Sequence, residues 1–172
     1  MNYGMIKNVD IANGIGVRIS LFVSGCTHHC KDCFQPQTWN FDYGEVFTED
    51  VLNRLIKMAE PNYISGLSLL GGEPFEPENR EGVLETVKRF KETYPNKTIW
   101  AYSGYTFEQL TGLEKARCGN ARDVLKYVDV LVDGEFKIEE KDISLKFKGS
   151  ANQRIIDVKN SLLSGEMVLF MK

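Results

Sequence analysis

Cys26-Thr27-His28-His29-Cys30-Lys31-Asp32-Cys33-Phe34 places three of the four cysteines and both histidines on one short stretch of the chain. A thiolate is a soft anionic ligand, and three on a single loop can converge on one metal centre without help from the rest of the fold. A 4Fe-4S cubane takes four cysteines, one per iron, whereas the C-x-x-x-C-x-x-C spacing supplies three. One iron is then left without a protein ligand, and an open coordination position marks a metal that does chemistry rather than one that only braces a loop. The competing reading is a structural zinc site completed by His28 or His29. Structural zinc motifs usually bring two ligand pairs separated by a dozen or more residues, and no second pair is present. A histidine next to Cys30 is also poorly placed to reach the metal its neighbour holds.

Working outward, Val17 to Val23 is apolar and rich in β-branched residues, which suits a strand that Ser24-Gly25 ends just before the thiol loop. Gly14-x-Gly16 reads as the entry turn. It lacks the third glycine and following helix of a dinucleotide fingerprint. Thr48 is placed to cap a helix carrying Val51, Leu52, Leu55, Ile56 and Ala59 on one face. Gly66 to Leu70 reads as a buried strand running into Gly71-Gly72-Glu73-Pro74, and a helix from Asn79 follows. Thr98 to Tyr102 is a third strand, and Thr106-Phe107-Glu108-Gln109 is a capping-box start. Helical residues around Arg122 to Lys126 precede a fourth strand over Val128 to Val132. Alternation of Ile143, Leu145 and Phe147 predicts a strand, as do Arg154 to Val158 and, more weakly, Met167 to Met171. Strands alternating with helices predict an α/β fold, with a mostly parallel sheet curled by right-handed crossovers into a partial, open barrel with helices outside.

The 172 residues fit a single domain spanning 1–172, and 42% hydrophobic residues suffice for one core. Net charge is -3 with lysine and arginine scattered, so nucleic-acid binding is not expected. No apolar run approaches the roughly 18 residues of a membrane span. A soluble cytoplasmic protein is expected, where clustered thiols serve as metal ligands or redox groups.

Cys26-x-x-x-Cys30-x-x-Cys33 followed by Phe34 resembles the signature of the radical S-adenosylmethionine (radical SAM) enzymes. The stretches Val9 to Arg18, Leu21 to Cys26, Thr38-Trp39, Val130 to Gly134 and Gly149 to Arg154 are similar to the activating proteins of anaerobic ribonucleotide reductase. The likeness runs from Asn2 to about Val158 and leaves out the C-terminal tail. It implies a radical SAM-type partial barrel, one 4Fe-4S cluster on Cys26, Cys30 and Cys33, and SAM chelated to the fourth iron. It further implies reductive cleavage of SAM to a 5′-deoxyadenosyl radical, which takes a hydrogen from a glycine of the reductase large subunit. The electron would come from a donor such as flavodoxin or ferredoxin. An activase of another glycyl-radical enzyme and a small-molecule radical SAM enzyme are alternatives within this chemistry; a zinc or iron-sulfur interaction module lies outside it.

Other residues follow from the same reading. Gly71, Gly72 and Glu73 resemble the glycine-glycine-acid element that receives the ammonium of SAM, and two glycines beside a carboxylate suit close approach of a cation to the backbone. Asp32 and Phe34 flank Cys33, with the aromatic ring expected against adenine. Ser103 and Asp133 each follow a strand and can either reach the same mouth or serve as turn formers. Lys148 stands where the family pattern has arginine, losing bidentate pairing. Cys118 lies outside every motif.

Overall fold

The computed structural model describes Met1–Lys172 as one open eight-stranded sheet with helices. Four strands, β2 (Val17–Val23), β4 (Ile64–Gly71), β5 (Thr98–Tyr102) and β6 (Val130–Asp133), run parallel at its centre. On one flank β1 (Asn2–Asp10) lies antiparallel to β2, and β3 (Glu45–Val46) antiparallel to β1. On the other, β7 (Arg154–Asp157) and β8 (Leu169–Met171) continue the sheet antiparallel. The sheet is therefore mixed, with the expected parallel character confined to its middle. β1 connects to β2 by a turn too short for a crossover, which forces the pair antiparallel.

Helices α1 (Glu49–Met58), α2 (Arg80–Thr93), α3 (Phe107–Leu110), α4 (Arg122–Leu125) and α5 (Val158–Ser164) link or follow these strands. The Thr48 hydroxyl accepts from the Val51 N–H at the start of α1, and α3 carries the complete Thr106/Gln109 capping box. The helices cover one face. Ile19, Leu21, Leu67, Leu69, Ile99, Ala101 and Leu131 of the sheet pack there against Leu55, Val87, Phe90, Leu110 and Leu125. The opposite face has a small apolar cluster of Trp100, Val130, Val132 and Ile155, joined by Phe147 and Met171 rather than by a helix.

That second face also buries Arg18 completely. Its guanidinium donates to the Ser68 hydroxyl at 2.8 Å, the Thr98 hydroxyl at 3.0 Å, and the carbonyls of Ile15, Leu67 and Thr98 at 2.8 to 2.9 Å. Burial lowers its pKa to about 10, so the group stays charged at neutral pH while held by neutral acceptors alone.

Three differences from the sequence reading stand out. The Ile143-Leu145-Phe147 alternation is not a strand: the Asp142 carboxylate accepts from the Ser144 N–H and hydroxyl, Phe147 has φ 61°, and Ile143 is 94% exposed. Local side-chain bonding of this kind competes with ladder formation. The fourth strand starts at Val130 rather than Val128, because the Asp129 carboxylate accepts from the Ile99 N–H. The long β1 and the short β3 have no counterpart in the sequence reading. No helix is long and apolar enough to cross a membrane.

Replacing Arg18 with methionine keeps volume but removes the guanidinium donors from the Ser68 and Thr98 hydroxyls and from the carbonyls of Ile15, Leu67 and Thr98. Urea denaturation should show a loss of about 3 kcal/mol or more, since each orphaned buried group costs roughly 1–3 kcal/mol.

Candidate metal and cofactor site

The four parallel strands deliver their successor residues to one end of the sheet. Cys26 follows β2, Gly72 and Glu73 follow β4, Ser103 and Gly104 follow β5, and Gly134 follows β6. They surround a cavity of about 400 Å³ that Cys26, Cys30, Cys33, Phe34, Gly71, Gly72, Glu73 and Ser103 help to line. In parallel α/β sheets, the carboxyl ends of the strands are where ligands collect.

The thiol loop is held there by backbone and side chains of the turn after β4. The Gly72 N–H donates to the Val23 carbonyl at 2.7 Å and the Glu73 N–H to the Gly25 carbonyl at 2.8 Å. A Cβ on Gly72 would lie 2.6 Å from the Gly25 carbonyl oxygen and 2.9 Å from that of Thr38. Only glycine permits this approach. The Glu73 carboxylate is fully buried and accepts four hydrogen bonds, from the Ser103 hydroxyl (2.9 Å), the Phe75 N–H (3.0 Å), the Gly104 N–H (2.7 Å) and His28 Nε2 (3.0 Å). It thus ties the thiol loop to the end of β5, and its own acceptor capacity is taken up by the chain.

Two more side chains of that turn make similar bonds. Glu76, also fully buried, accepts from the Thr27 N–H at 2.7 Å and hydroxyl at 2.6 Å, and pairs with Arg117 on its other oxygen. The Asn79 amide donates to the Ser24 carbonyl at 2.9 Å and the Glu73 carbonyl at 3.0 Å. Asn79 stands at the α2 N-cap but makes no side-chain capping bond; its amide serves the site instead.

His28 is clamped between Glu73 and Glu135, the latter 2.9 Å from Nδ1. Burial opposes the charged ring, yet the bonds to the two carboxylates outweigh it and raise the pKa to about 9. A Cβ on Gly104 would strike this imidazole at 2.6 Å. His29, at φ 50°, stacks on Trp39 with ring centroids 4.4 Å apart.

The three cysteines are free thiols. Burial, aided by the field of Glu73, pushes Cys26 up to about 12, and burial also raises Cys30. A nucleophilic cysteine sits in surroundings that lower its pKa; those of Cys26 and Cys30 do the reverse, which favours their thiolates only beside a bound cation. No three His, Cys, Asp or Glu side chains come together tightly enough for a single metal ion. That geometry gives no support to a zinc site. The three cysteines line one cavity, and a cubane takes ligands so disposed, each thiolate meeting a separate iron. Cys118 packs in the hydrophobic core, with its thiol raised to about 11 by burial, and is not among the cavity-lining residues.

The remaining candidates divide. Phe34 lines the cavity, is 69% exposed, and lies 5.3 Å from the Phe136 ring. Ser103 lines it with its hydroxyl bonded to Glu73. Asp32 is exposed at φ 57° and points to no cavity residue through a hydrogen bond. Asp133 is buried, accepting from the Phe107 N–H at 2.6 Å and pairing with Arg154 at 2.5 Å; it anchors α3 rather than lining the cavity. Lys148 donates to the Gln153 carbonyl at 3.0 Å, and Gln153 reaches the cavity wall. Sequence reasoning missed Glu76, Asn79 and Gly104. The signal for the first two was the three-residue spacing of Glu73, Glu76 and Asn79, which the structure resolves as two successive turns, the Glu76 N–H donating to the Glu73 carbonyl at 3.2 Å and the Asn79 N–H to the Glu76 carbonyl at 2.9 Å.

Glu76→Ala strips the acceptor from both Thr27 donors and leaves Arg117 without its buried partner. Stability should fall by about 1–3 kcal/mol, and iron retained per chain after anaerobic gel filtration should drop below that of the unmodified protein.

A family model described as a 4Fe-4S single cluster domain matches residues 12–156. Relatives named anaerobic ribonucleoside-triphosphate reductase-activating protein include that of Vibrio cholerae, 41% identical over 157 residues, 90% of this chain and 97% of the relative. That of Haemophilus influenzae is 41% identical with the same coverage of both chains. That of Escherichia coli is 38% identical over 155 residues, 89% of this chain and 96% of the relative. With matches that span nearly the whole of both partners and a cavity lined by three free thiols, this chain belongs to the family of anaerobic ribonucleoside-triphosphate reductase-activating proteins and carries a 4Fe-4S single cluster domain.

Proposed function

We propose that this protein reductively cleaves SAM and uses the resulting radical to take a hydrogen from a glycine of the anaerobic ribonucleoside-triphosphate reductase large subunit, installing a glycyl radical there. The observation that carries the reading is the meeting of the thiol loop and the Gly71 to Glu73 turn in one cavity at the carboxyl ends of four parallel strands. An open, helix-backed sheet with this placement agrees with a partial barrel of the radical SAM type.

In this reading Cys26, Cys30 and Cys33 hold a 4Fe-4S cluster, one iron of which has no protein ligand. When bound, the cluster and SAM supply the hard chemistry, one electron breaking the bond from sulfur to C5′ to give methionine and a 5′-deoxyadenosyl radical. The chain's own work is to bind, orient and exclude water. Gly71 and Gly72 line the cavity, and their backbone carbonyls would receive the ammonium of the methionine part, a task the saturated Glu73 carboxylate leaves to them. Glu73 instead keeps the cysteine loop, the glycine turn and the Ser103-Gly104 corner in fixed relation. Phe34 and Phe136 offer ring faces to adenine. A reduced flavodoxin or ferredoxin in the cytoplasm is the proposed electron source, a compartment that also keeps the thiols reduced.

The test is anaerobic reconstitution with iron, sulfide, dithionite, SAM and the reductase large subunit. 5′-Deoxyadenosine should form, and electron paramagnetic resonance should show a glycyl radical on the large subunit; product without that radical would point to a different target. Cys30→Ala should lower the yield of both by more than about 100-fold, since even loss of residues outside the ligand set costs roughly 10- to 100-fold at metal sites.

A further inference from the structure

The Tyr102 hydroxyl is buried with no hydrogen-bond partner in the chain, yet the residue lines the cavity that contains the three cysteines. Native chains rarely keep an unpaired buried hydroxyl, and each exception calls for a reason. Tyr102 ends β5 on the face that no helix covers. It pairs with Val132 on β6, and Phe22 pairs with Leu70 on the neighbouring strands, so apolar side chains share this face with the phenol, beside the polar region around Arg18 and Asp10.

The surroundings select the chemistry of the missing partner. Burial holds the phenol above its usual pKa despite the opposing pull of Arg18, so it stays protonated and able to donate. Lys7, at the rim of the same cavity, places its ammonium 5.5 Å from the Phe22 ring centroid. The carboxylate that acts on the phenol, Asp10, already accepts from the Ala12 N–H, the Asn13 amide and the Ser20 hydroxyl, so the groups left to meet a ligand here are the phenol and the Lys7 ammonium, both donors, which favours a group that accepts hydrogen bonds. A carbonyl oxygen is such a group. In the proposed reading the carboxylate of SAM is spent on the open iron at the thiol loop, and its ribose brings hydroxyls. An extended polypeptide offers a carbonyl at every residue, and a glycine has no side chain to collide with Phe22 or Leu70.

We infer that Tyr102 is a substrate-positioning residue whose hydroxyl donates to a main-chain carbonyl of the glycine-bearing polypeptide segment, which enters over the helix-free face of the sheet. The inference rests on the proposed function. It orients the target and leaves the bond-breaking steps to the cofactors.

Tyr102→Phe removes one oxygen atom and keeps the ring. Three measurements on the full-length protein test the inference: the Tm of the ligand-free chain, the Kd for SAM on the reconstituted protein, and the Kd for the reductase large subunit in the presence of SAM. The expected result is a Tm no lower than that of the unmodified protein, an unchanged Kd for SAM, and roughly 3- to 10-fold weaker binding of the large subunit, the scale of one neutral hydrogen bond. A fall in Tm would show that the hydroxyl is already satisfied within the chain and would overturn the inference. Weaker SAM binding would also overturn it, by making Tyr102 a cofactor contact. Equal binding of the large subunit by both proteins would overturn the role of Tyr102 alone, whereas an unmodified protein that binds no large subunit would overturn the proposed function with it.

Discussion

Two carboxylates with no access to water, Glu73 and Glu76, determine how this molecule presents its thiols. A desolvated carboxylate is tolerable only if donors surround it, and the donors here come from separate parts of the chain. His28 and Thr27 belong to the cysteine loop, Ser103 and Gly104 to the end of β5, and Arg117 to the segment before α4. Satisfying the two acids therefore forces three loops into one arrangement. Were either acid removed, the others would lose the reason for their positions, because the loop from Ser24 to Cys33 has little regular structure of its own.

The sheet adds a second asymmetry. Its helix-covered face is an ordinary aliphatic core, while the other face buries Arg18, Ser20, Ser68 and Asp10 in a polar network. Ser20 donates to Asp10 at 2.6 Å, and Ser68 donates to the Asn13 carbonyl at 2.5 Å, which fixes the turn between β1 and β2 against the sheet. Such a network is stable only when every member has a partner. Tyr102 sits at the edge of that polar region without one, next to the space that a ligand would fill.

Much of this was legible from residue pattern. The run from Val17 to Val23 and the run from Thr98 to Tyr102 are strands with those bounds, since buried parallel strands read as continuous apolar segments flanked by turn residues. The thiol loop and the Gly71-Gly72-Glu73 turn were readable because glycine and cysteine are costly to place without a purpose. β1 was not: Met5, Lys7, Asn8 and Val9 are exposed, so the strand carries neither a clean alternation nor an apolar run. Glu76 is one more charge in an acid-rich turn, and nothing local distinguishes a buried glutamate from a solvated one. Ile143, Leu145 and Phe147 showed the converse failure, a period of two with no partner strand beside it. Asp133 is the last residue of β6 rather than the first beyond it, and its carboxylate is taken by Arg154 and the α3 backbone, a tertiary pairing that no local pattern announces.

The account depends on one iron being left for SAM rather than for a side chain. Electron-nuclear double resonance on the reduced, reconstituted protein with SAM labelled with 15N at its amino group and 17O at its carboxylate addresses this directly. Hyperfine coupling of both labels to the cluster is the predicted result. A cluster that shows no coupling to either label, with its spectrum unchanged by SAM, would contradict it.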